Sequence, residues 1–422
     1  MILNLVLDAL ATLLPLFDKS SSLLSNSTAV VRWDAFHFLS IAEHGYQYEQ
    51  QWAFLPGIAL VIRLSTALVG HQHCLKGVAF LISLLTLDSY RVFYELSLAH
   101  LRSESLAYIS TVLALIPSSP VTLFAAPYNE PFFTYLSYRG MLFCAQEHWL
   151  LAALAFCAAT MFRSNGLFLA GFIIWGILIQ PHLPHLLSSR KLPRITSRLV
   201  LDVLYAALLT ILVFAPFIYH NYFAYATFCI PSKDQLPLSY QTPQWCSKTI
   251  PTVYTHVQST YWNAGFLNYW SPKQFPNFLI AAPPFILLYS FGFWHIRAVL
   301  LTHGFCTSRP QSSRHRQSLK ASPFSTLSLT PHVIHSLFTA SILLFTSHTQ
   351  IILRLAAAMP ILYWAAAWLW SGTRPIGINN HHSPPTLAQP APSTFYGKLW
   401  VYWSVCWFLI SIILWTSFLP PA

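Results

Sequence analysis

The sequence predicts an all-α polytopic membrane protein, a helical bundle of about ten or eleven transmembrane helices with two long loops on one side of the membrane. Hydrophobic residues make up 55% of the 422 residues and charged residues only 8%, and the mean hydropathy is +0.51. A soluble domain carries about 25% charged residues, so this chain cannot cover a water-facing surface of its size. The chain has 23 Lys and Arg residues and 12 Asp and Glu residues. The basic residues lie mainly in loops between apolar runs. That distribution indicates membrane orientation and argues against a nucleic-acid partner.

The first apolar run, Ile2 to Phe17, predicts a retained first helix, because no Lys or Arg precedes it as in a signal peptide. A Ser-rich stretch follows it. There Asn26-Ser27-Thr28 forms an N-glycosylation sequon, which is weak evidence on its own because such triplets occur often by chance.

The further predicted spans are 53–69, 77–98, 106–124, 132–144, 149–180, 199–219, 278–296, 331–345, 351–370 and 399–418. Basic loops at 190–198 and 309–320 flank the pair of spans around the loop 220–275. The positive-inside rule makes both basic loops cytoplasmic, so the loop between them is luminal. With a cytoplasmic N-terminus, the loop 18–52 is luminal too. Two aromatic loops facing one compartment predict a shared site.

Residues 1–422 are therefore expected to form one integral membrane domain. Its variable linkers are predicted at 297–330 and 372–397, and the second is rich in Pro, Asn and His, as disordered connections are. No internal repeat of the transporter kind is visible.

The first luminal loop holds acidic and aromatic residues side by side, in a chain with few acids. If this stretch is helical, Asp34, His37 and His44 share one face. One interpretation is an interfacial support helix with Asp34 as its N-terminal cap. The other is sugar chemistry, in which a carboxylate accepts a hydroxyl proton and aromatic faces stack on the sugar. Spacing alone favours the support helix.

Three charged residues lie within or between apolar runs: Glu130, Arg163 and Arg354. An arginine facing lipid costs at least about 2.5 kcal/mol, so each guanidinium should face protein, water or an anion. A phosphate is one candidate partner, since arginine binds it bidentately. A structural ion pair with Glu130 or another acid is the alternative.

The late luminal loop, 220–275, combines amide and aromatic side chains, which favours carbohydrate binding over a simple aromatic belt at the lipid headgroups. Cys229 and Cys246 are the only cysteines that share this loop. In an oxidising lumen they could form a disulfide, and the alternative is two reduced, buried thiols.

These motifs resemble a known family. Arg-Trp-Asp-Ala-x-His-Phe-Leu-x-Ile-Ala-Glu-His-Gly-Tyr from residue 32, followed by Ala-Phe-x-Pro, resembles the first luminal loop of the PIG-V family, GPI mannosyltransferase 2. Further matches follow in order at 119–130, 162–167, 258–267, 276–283 and 350–364, so the resemblance covers nearly the whole chain. Two departures are Gly57-Ile58-Ala59-Leu60, which lacks the second proline expected after Ala-Phe-x-Pro, and Asn129-Glu130-Pro131 in place of Ser-Glu-Ser.

The resemblance implies a GT-C glycosyltransferase of the endoplasmic reticulum membrane with a luminal active site. It would transfer mannose from dolichyl-phosphate mannose to a GPI precursor in an α-1,6 linkage, by one inverting displacement. Asp34 is then the expected base, with His37 and Glu43 as second choices. Expected substrate contacts are Arg32, Trp33, Trp52, Glu130, Arg163, Asn165, Gln258, Trp262, Asn263, Trp270 and Arg354.

No cofactor and no metal are expected beyond the donor substrate. The implied partners are dolichyl-phosphate mannose, the GPI-precursor glycolipid, membrane lipids and a small membrane subunit, as in fungal members of the family. Three alternatives stay open: another dolichyl-phosphate-sugar transferase of the same fold with an N-glycan or protein acceptor, a polytopic glycolipid transporter, or a non-catalytic scaffold.

Overall fold

The computed structural model describes residues 2–17, 28–183, 195–230, 242–302, 322–372 and 394–419. Within these ranges the regular structure is helical and no strand occurs, which confirms the predicted all-α fold class. The sequon at Asn26, the basic loop 309–320 and most of the loop 190–198 lie outside the described residues. So does most of the linker 372–397. The ends of the predicted linker 297–330 are described, and both carry helical turns.

The α-helices of the described ranges are α1 Ile2–Leu13, α2 Asp34–His44, α3 Gly57–Val69, α4 Cys74–Leu101, α5 Glu104–Ala114, α6 Pro120–Phe124, α7 Glu130–Ala145, α8 Trp149–Thr160, α9 Ala170–Ile174, α10 Ser197–Cys229, α11 Val253–Thr260, α12 Phe275–Thr302, α13 Thr330–Thr346, α14 Ile352–Leu355, α15 Pro360–Ser371 and α16 Phe395–Thr416. Short 3₁₀ or π segments extend several of them.

Six helical segments of the described chain are long and apolar enough to cross a membrane, and seven if one bent pair counts as a span. This is fewer than the ten or eleven predicted. Several predicted spans are shorter helices instead, among them the 13-residue α3. At about 1.5 Å per residue, α3 is too short for a hydrocarbon core of about 30 Å. The predicted span 106–124 is likewise divided between α5 and α6.

The predicted helix of the first luminal loop is present as α2, but Asp34 does not cap it. Asp34 is the first helical residue, and Trp33 occupies the cap position without a side-chain hydrogen bond. Helices α2 and α3 pack side by side in a buried cluster that also includes parts of α1, α4 and α16. Buried side chains such as Phe38 and Ile58 fix the two short helices against the membrane-crossing bundle.

The run 149–180 breaks where the sequence places its intramembrane arginine. Helix α8 ends at Thr160, Arg163 has extended backbone, and a 3₁₀ segment begins at Ser164. Two glycines permit the close packing around this break. A Cβ on Gly57 would lie 2.7 Å from the Phe162 ring, and one on Gly166 would lie 2.6 Å from the Thr160 hydroxyl. The break therefore turns the arginine side chain away from lipid.

A second break carries Arg354. The helical segment Thr349–Ala358 and helix α15 meet at an angle of 86°. The bend falls at Met359, whose extended backbone is the conformation that a residue before proline prefers. Arg354 lies on the short arm before the bend.

The late loop, predicted to be luminal, packs on the first loop through a small core that includes Trp52, Ala224, Trp245, Val253 and Val257. A disulfide joins Cys229, the last residue of α10, to Cys246. The disulfide interpretation of this cysteine pair is thus confirmed. The bond ties Cys246 of the late loop to the end of α10.

Candidate active site

A cavity of about 620 Å³ lies where the first and the late loop, both predicted to be luminal, meet the breaks at Arg163 and Arg354. One part of its wall is apolar and includes Phe168, Phe217, Ile342 and Leu343 from the membrane-crossing segments. The other part is polar and includes Asp34, Asn129, Arg163, Ser164, Asn165, Tyr254, Gln258, His348, Gln350 and Arg354. A lipid-linked sugar, apolar at one end and polar at the other, matches this division.

Two arginines and two carboxylates form one ion-pair network on the polar wall. Glu130 is buried and its Oε1 accepts hydrogen bonds from Arg163 Nη1 and from Arg354 Nε, each at 2.7 Å. Arg354 Nη1 also donates to Asp34 Oδ2 at 3.1 Å. The side chain of Asp34 is 33% exposed, whereas that of Glu130 is 3% exposed. Glu130 therefore orients both guanidiniums, and Asp34 is the carboxylate that a ligand can reach.

Tyr128 holds the backbone on either side of Trp33. Its hydroxyl donates to the Arg32 carbonyl at 3.0 Å and accepts from the Asp34 amide at 3.1 Å. The Arg354 guanidinium lies over the Tyr128 ring, 5.0 Å from its centre. The start of α2 is thereby fixed to the same wall as the arginines.

Glu49 connects the first loop to the late loop. Its Oε1 accepts from the Trp245 indole at 2.7 Å, and its Oε2 accepts from the Tyr261 hydroxyl at 2.9 Å and lies 3.3 Å from His256 Nε2. Burial, together with the hydrogen bond to Glu49, raises the pKa of Tyr261. Three partners from the late loop thus converge on one carboxylate of the first loop.

Six of the predicted site residues line the cavity: Asp34, Arg163, Asn165, Gln258, Trp262 and Arg354. Glu130 lies directly behind them, in contact with both arginines. The structure thus brings together residues from five separate parts of the chain.

The remaining predicted residues do not line the cavity. His37 stacks behind Phe54, with ring centres 5.4 Å apart, and Glu43 is exposed near the end of α2. Trp52 is buried against Tyr46 and His220. Arg32 and Trp33 pack on Phe418, just beyond the end of α16. The Trp270 ring packs on Phe345. The Asn263 side-chain oxygen accepts a hydrogen bond from Asn268. These seven residues therefore lie outside the cavity wall.

Several cavity residues had no role in the sequence-based prediction. Asn129 is 5% exposed, and its Oδ1 has no hydrogen-bond partner among the described residues. Tyr254 hydrogen-bonds Ser164 at 2.7 Å, and His348 stacks on Tyr269 with ring centres 4.7 Å apart. Asn129 is one of the positions where the sequence departs from the family pattern, and that departure is the signal that could have identified it.

No group of three or more His, Cys, Asp or Glu side chains in the described ranges is arranged to hold a metal ion. A reaction without cofactor or metal stays a prediction.

Comparison with known proteins identifies the family of this chain. The family model described as Mannosyltransferase (PIG-V) matches residues 8–422. GPI mannosyltransferase 2 of Cryptococcus neoformans var. neoformans is 32% identical over 433 residues, covering 99% of this chain and 95% of that protein. GPI alpha-1,6-mannosyltransferase 2 of Cricetulus griseus is 30% identical over 451 residues, covering 92% and 87%. The human protein of that name is 30% identical over 443 residues, covering 92% and 86%.

Among solved structures, the oligosaccharyltransferase of Archaeoglobus fulgidus aligns with a TM-score of 0.46 and 10% identity, covering 99% of this chain and 56% of that one. The family match extends over almost the whole sequence and includes the residues that line the cavity. The chain therefore belongs to the PIG-V family of mannosyltransferases.

Proposed function

We propose that this protein transfers mannose from dolichyl-phosphate mannose to the 6-hydroxyl of the first mannose of a GPI precursor, forming an α-1,6 linkage. The observation that carries the proposal is the reachable Asp34 carboxylate beside two arginines, in a cavity with one apolar and one polar wall. The relatives named GPI alpha-1,6-mannosyltransferase 2 support the acceptor and the linkage.

In the proposed reaction Asp34 is the general base. It takes the proton from the acceptor hydroxyl, whose oxygen attacks the anomeric carbon of the donor mannose. The new bond joins that oxygen to the anomeric carbon, and the bond from this carbon to the phosphate oxygen breaks. The leaving dolichyl phosphate keeps the bonding electron pair. One displacement inverts the β-linked donor to an α-linked product.

Arg163 and Arg354 stabilise the leaving phosphate as its negative charge grows. Glu130 holds both guanidiniums in place through its buried carboxylate. Since these donors are fixed before the reaction, no reorientation is needed when the charge develops. The apolar wall, including Phe168 and Phe217, is the expected position of the first isoprene units of the donor.

The proposed location is the endoplasmic reticulum membrane, with the cavity facing the lumen. The Cys229–Cys246 disulfide supports an oxidising compartment on the side of the late loop. The multiple apolar spans make the chain a multi-pass membrane protein. Association with a small membrane subunit stays a prediction.

The test is a microsomal assay with labelled dolichyl-phosphate mannose and a GPI acceptor that carries one mannose. Wild-type protein should form the two-mannose product, and Asp34→Asn should lower the rate about 10²–10⁴-fold. Glu104→Gln, at an exposed carboxylate in the first turn of α5, is the matched control and should transfer normally.

Transfer to an N-glycan intermediate instead of the GPI acceptor would contradict the proposed substrate. Full activity of Asp34→Asn with loss in Glu43→Gln would assign the base to Glu43.

A further inference from the structure

Trp33 has a backbone conformation that side-chain-bearing residues rarely adopt. Its φ is 52° and its ψ is −122°. A conformation of this kind persists only where the surrounding structure holds it. Because Trp33 immediately precedes Asp34, its backbone angles determine where α2 starts and in which direction the Asp34 carboxylate points.

Phe418, two residues beyond the end of α16, contacts this strained residue. The Trp33 ring stacks on Phe418, with centres 4.5 Å apart and planes inclined by 3°. The Trp33 indole N–H is buried and has no hydrogen-bond partner among the described residues. The Phe418 ring stacks on the face of the indole, and Trp33 also packs against the buried cluster around α2 and α3.

Trp415, in the last turn of α16, contacts the chain near Trp33 as well. Trp415 donates from its indole to the Ala29 carbonyl at 2.9 Å, and its ring meets Tyr128 edge to face at 5.4 Å. Tyr128 in turn hydrogen-bonds the backbone of both neighbours of Trp33. Trp415 and Phe418 thus restrain the chain before Trp33 and at Trp33 directly, and the backbone of Asp34 through Tyr128.

We propose that Phe418 is a positioning residue for the reaction: it holds Trp33 in its left-handed conformation and so directs the Asp34 carboxylate to Arg354 and into the cavity. Phe418 does not itself line the cavity, so it acts through Trp33 and not on the substrate. This inference rests on the proposed function, in which Asp34 is the base.

The test separates positioning from folding. In Phe418→Ala the kcat should fall about 10- to 100-fold, the loss expected when a reacting group is misplaced by about 1 Å. The KM for either substrate should stay within about twofold, because no binding contact is removed. Phe418→Tyr keeps a stacking ring and should restore kcat. Phe395→Ala, a 74% exposed ring on the first turn of the same helix, is the matched control and should behave as wild type.

A second readout needs no turnover. In an Asp34→Cys background, the thiol should react with a small water-soluble methanethiosulfonate added from the luminal side. Adding Phe418→Ala should slow this labelling, and adding Phe395→Ala should not.

An unchanged kcat per folded enzyme in Phe418→Ala, a failure of Phe418→Tyr to restore kcat, or unchanged labelling would each overturn the inference. Wild-type protein without mannosyl transfer would contradict the proposed function instead, and the labelling experiment would still decide the position of residue 34.

Discussion

Arg354 donates a hydrogen bond to the Asp34 carboxylate at 3.1 Å, although 320 residues separate the two in sequence. The same guanidinium donates to Glu130 through Nε. Arg354 therefore links the proposed base to the buried carboxylate that orients both arginines.

Replacing Arg354 by lysine should keep the charge and lose the activity. A lysine ammonium lacks the planar fork that contacts Glu130 and Asp34 together. We expect Arg354→Lys to lower kcat at least about 100-fold, by analogy with loss of one preorganised donor. Radiolabelled mannose transfer at saturating donor measures the effect. Arg91→Lys, in an exposed pair on α4, is the matched control, and near-normal kcat in Arg354→Lys would contradict the role of the guanidinium.

Glu130 should matter for stability as well as for activity. Glu130→Gln preserves the shape of the side chain, but it leaves two guanidiniums without their shared carboxylate. Breaking a buried ion pair from one side costs about 3–5 kcal/mol, so the midpoint of thermal unfolding in detergent should fall together with kcat. Glu104→Gln provides the exposed comparison. A variant that unfolds at the wild-type temperature would show that Glu130 does not stabilise the network.

Glu49 should control substrate affinity more than chemistry, because it joins the two loops and does not line the cavity. A hydrogen bond to a charged group is worth about 1.5–3 kcal/mol, and Glu49→Gln weakens those from Trp245 and Tyr261. We expect a higher acceptor KM with kcat changed less. Steady-state kinetics over a range of acceptor concentrations distinguishes the two parameters. A fall in kcat alone would place Glu49 in the chemical step.

Asn129 should accept a hydrogen bond from a hydroxyl of the transferred sugar. Its buried Oδ1 faces no donor among the described residues, and the side chain lines the cavity next to the arginines. Asn129→Ala should lower kcat/KM for dolichyl-phosphate mannose about 3- to 10-fold, the value of one net hydrogen bond.

A series of monodeoxy mannose donors tests the assignment of Asn129. One of them should be transferred equally well by wild type and Asn129→Ala, since it lacks the hydroxyl concerned. If the variant loses the same factor with every donor, Asn129 contacts no donor hydroxyl.

The sequence predicted the parts of the site that depend on rare residues. Arg163 and Arg354 could be selected because charge within an apolar run needs a partner, whereas Asp34 was selected through the family resemblance; all three meet at the cavity. Residues of the two aromatic loops line one cavity, as expected, while their luminal orientation stays a prediction. The choice between phosphate and carboxylate as the arginine partner could not be made from spacing. The structure pairs both guanidiniums with Glu130, and a contact with phosphate stays a proposal.

Aromatic residues were harder to assign. Trp52, Trp262 and Trp270 occur in similar polar and aromatic surroundings, yet Trp52 is 2% exposed within a core, Trp262 lines the cavity and Trp270 is 50% exposed outside it. Whether an indole packs, binds or faces lipid depends on tertiary contacts. The number of membrane spans was overestimated for a related reason. Apolar composition alone does not distinguish the 13-residue α3 from a membrane span.

The position of Arg354 between Asp34 and Glu130 has a consequence for charge movement during the proposed reaction. The four side chains of the network carry two positive and two negative charges, so it is neutral before the donor arrives. When Asp34 takes the acceptor proton, its negative charge disappears as a new one develops on the phosphate. Arg354 then loses one anionic partner at the moment another forms beside it. During the proposed reaction the Arg354 guanidinium thus exchanges one anionic partner, the Asp34 carboxylate, for another, the leaving phosphate. Protonation of Asp34 frees the guanidinium to bind that phosphate.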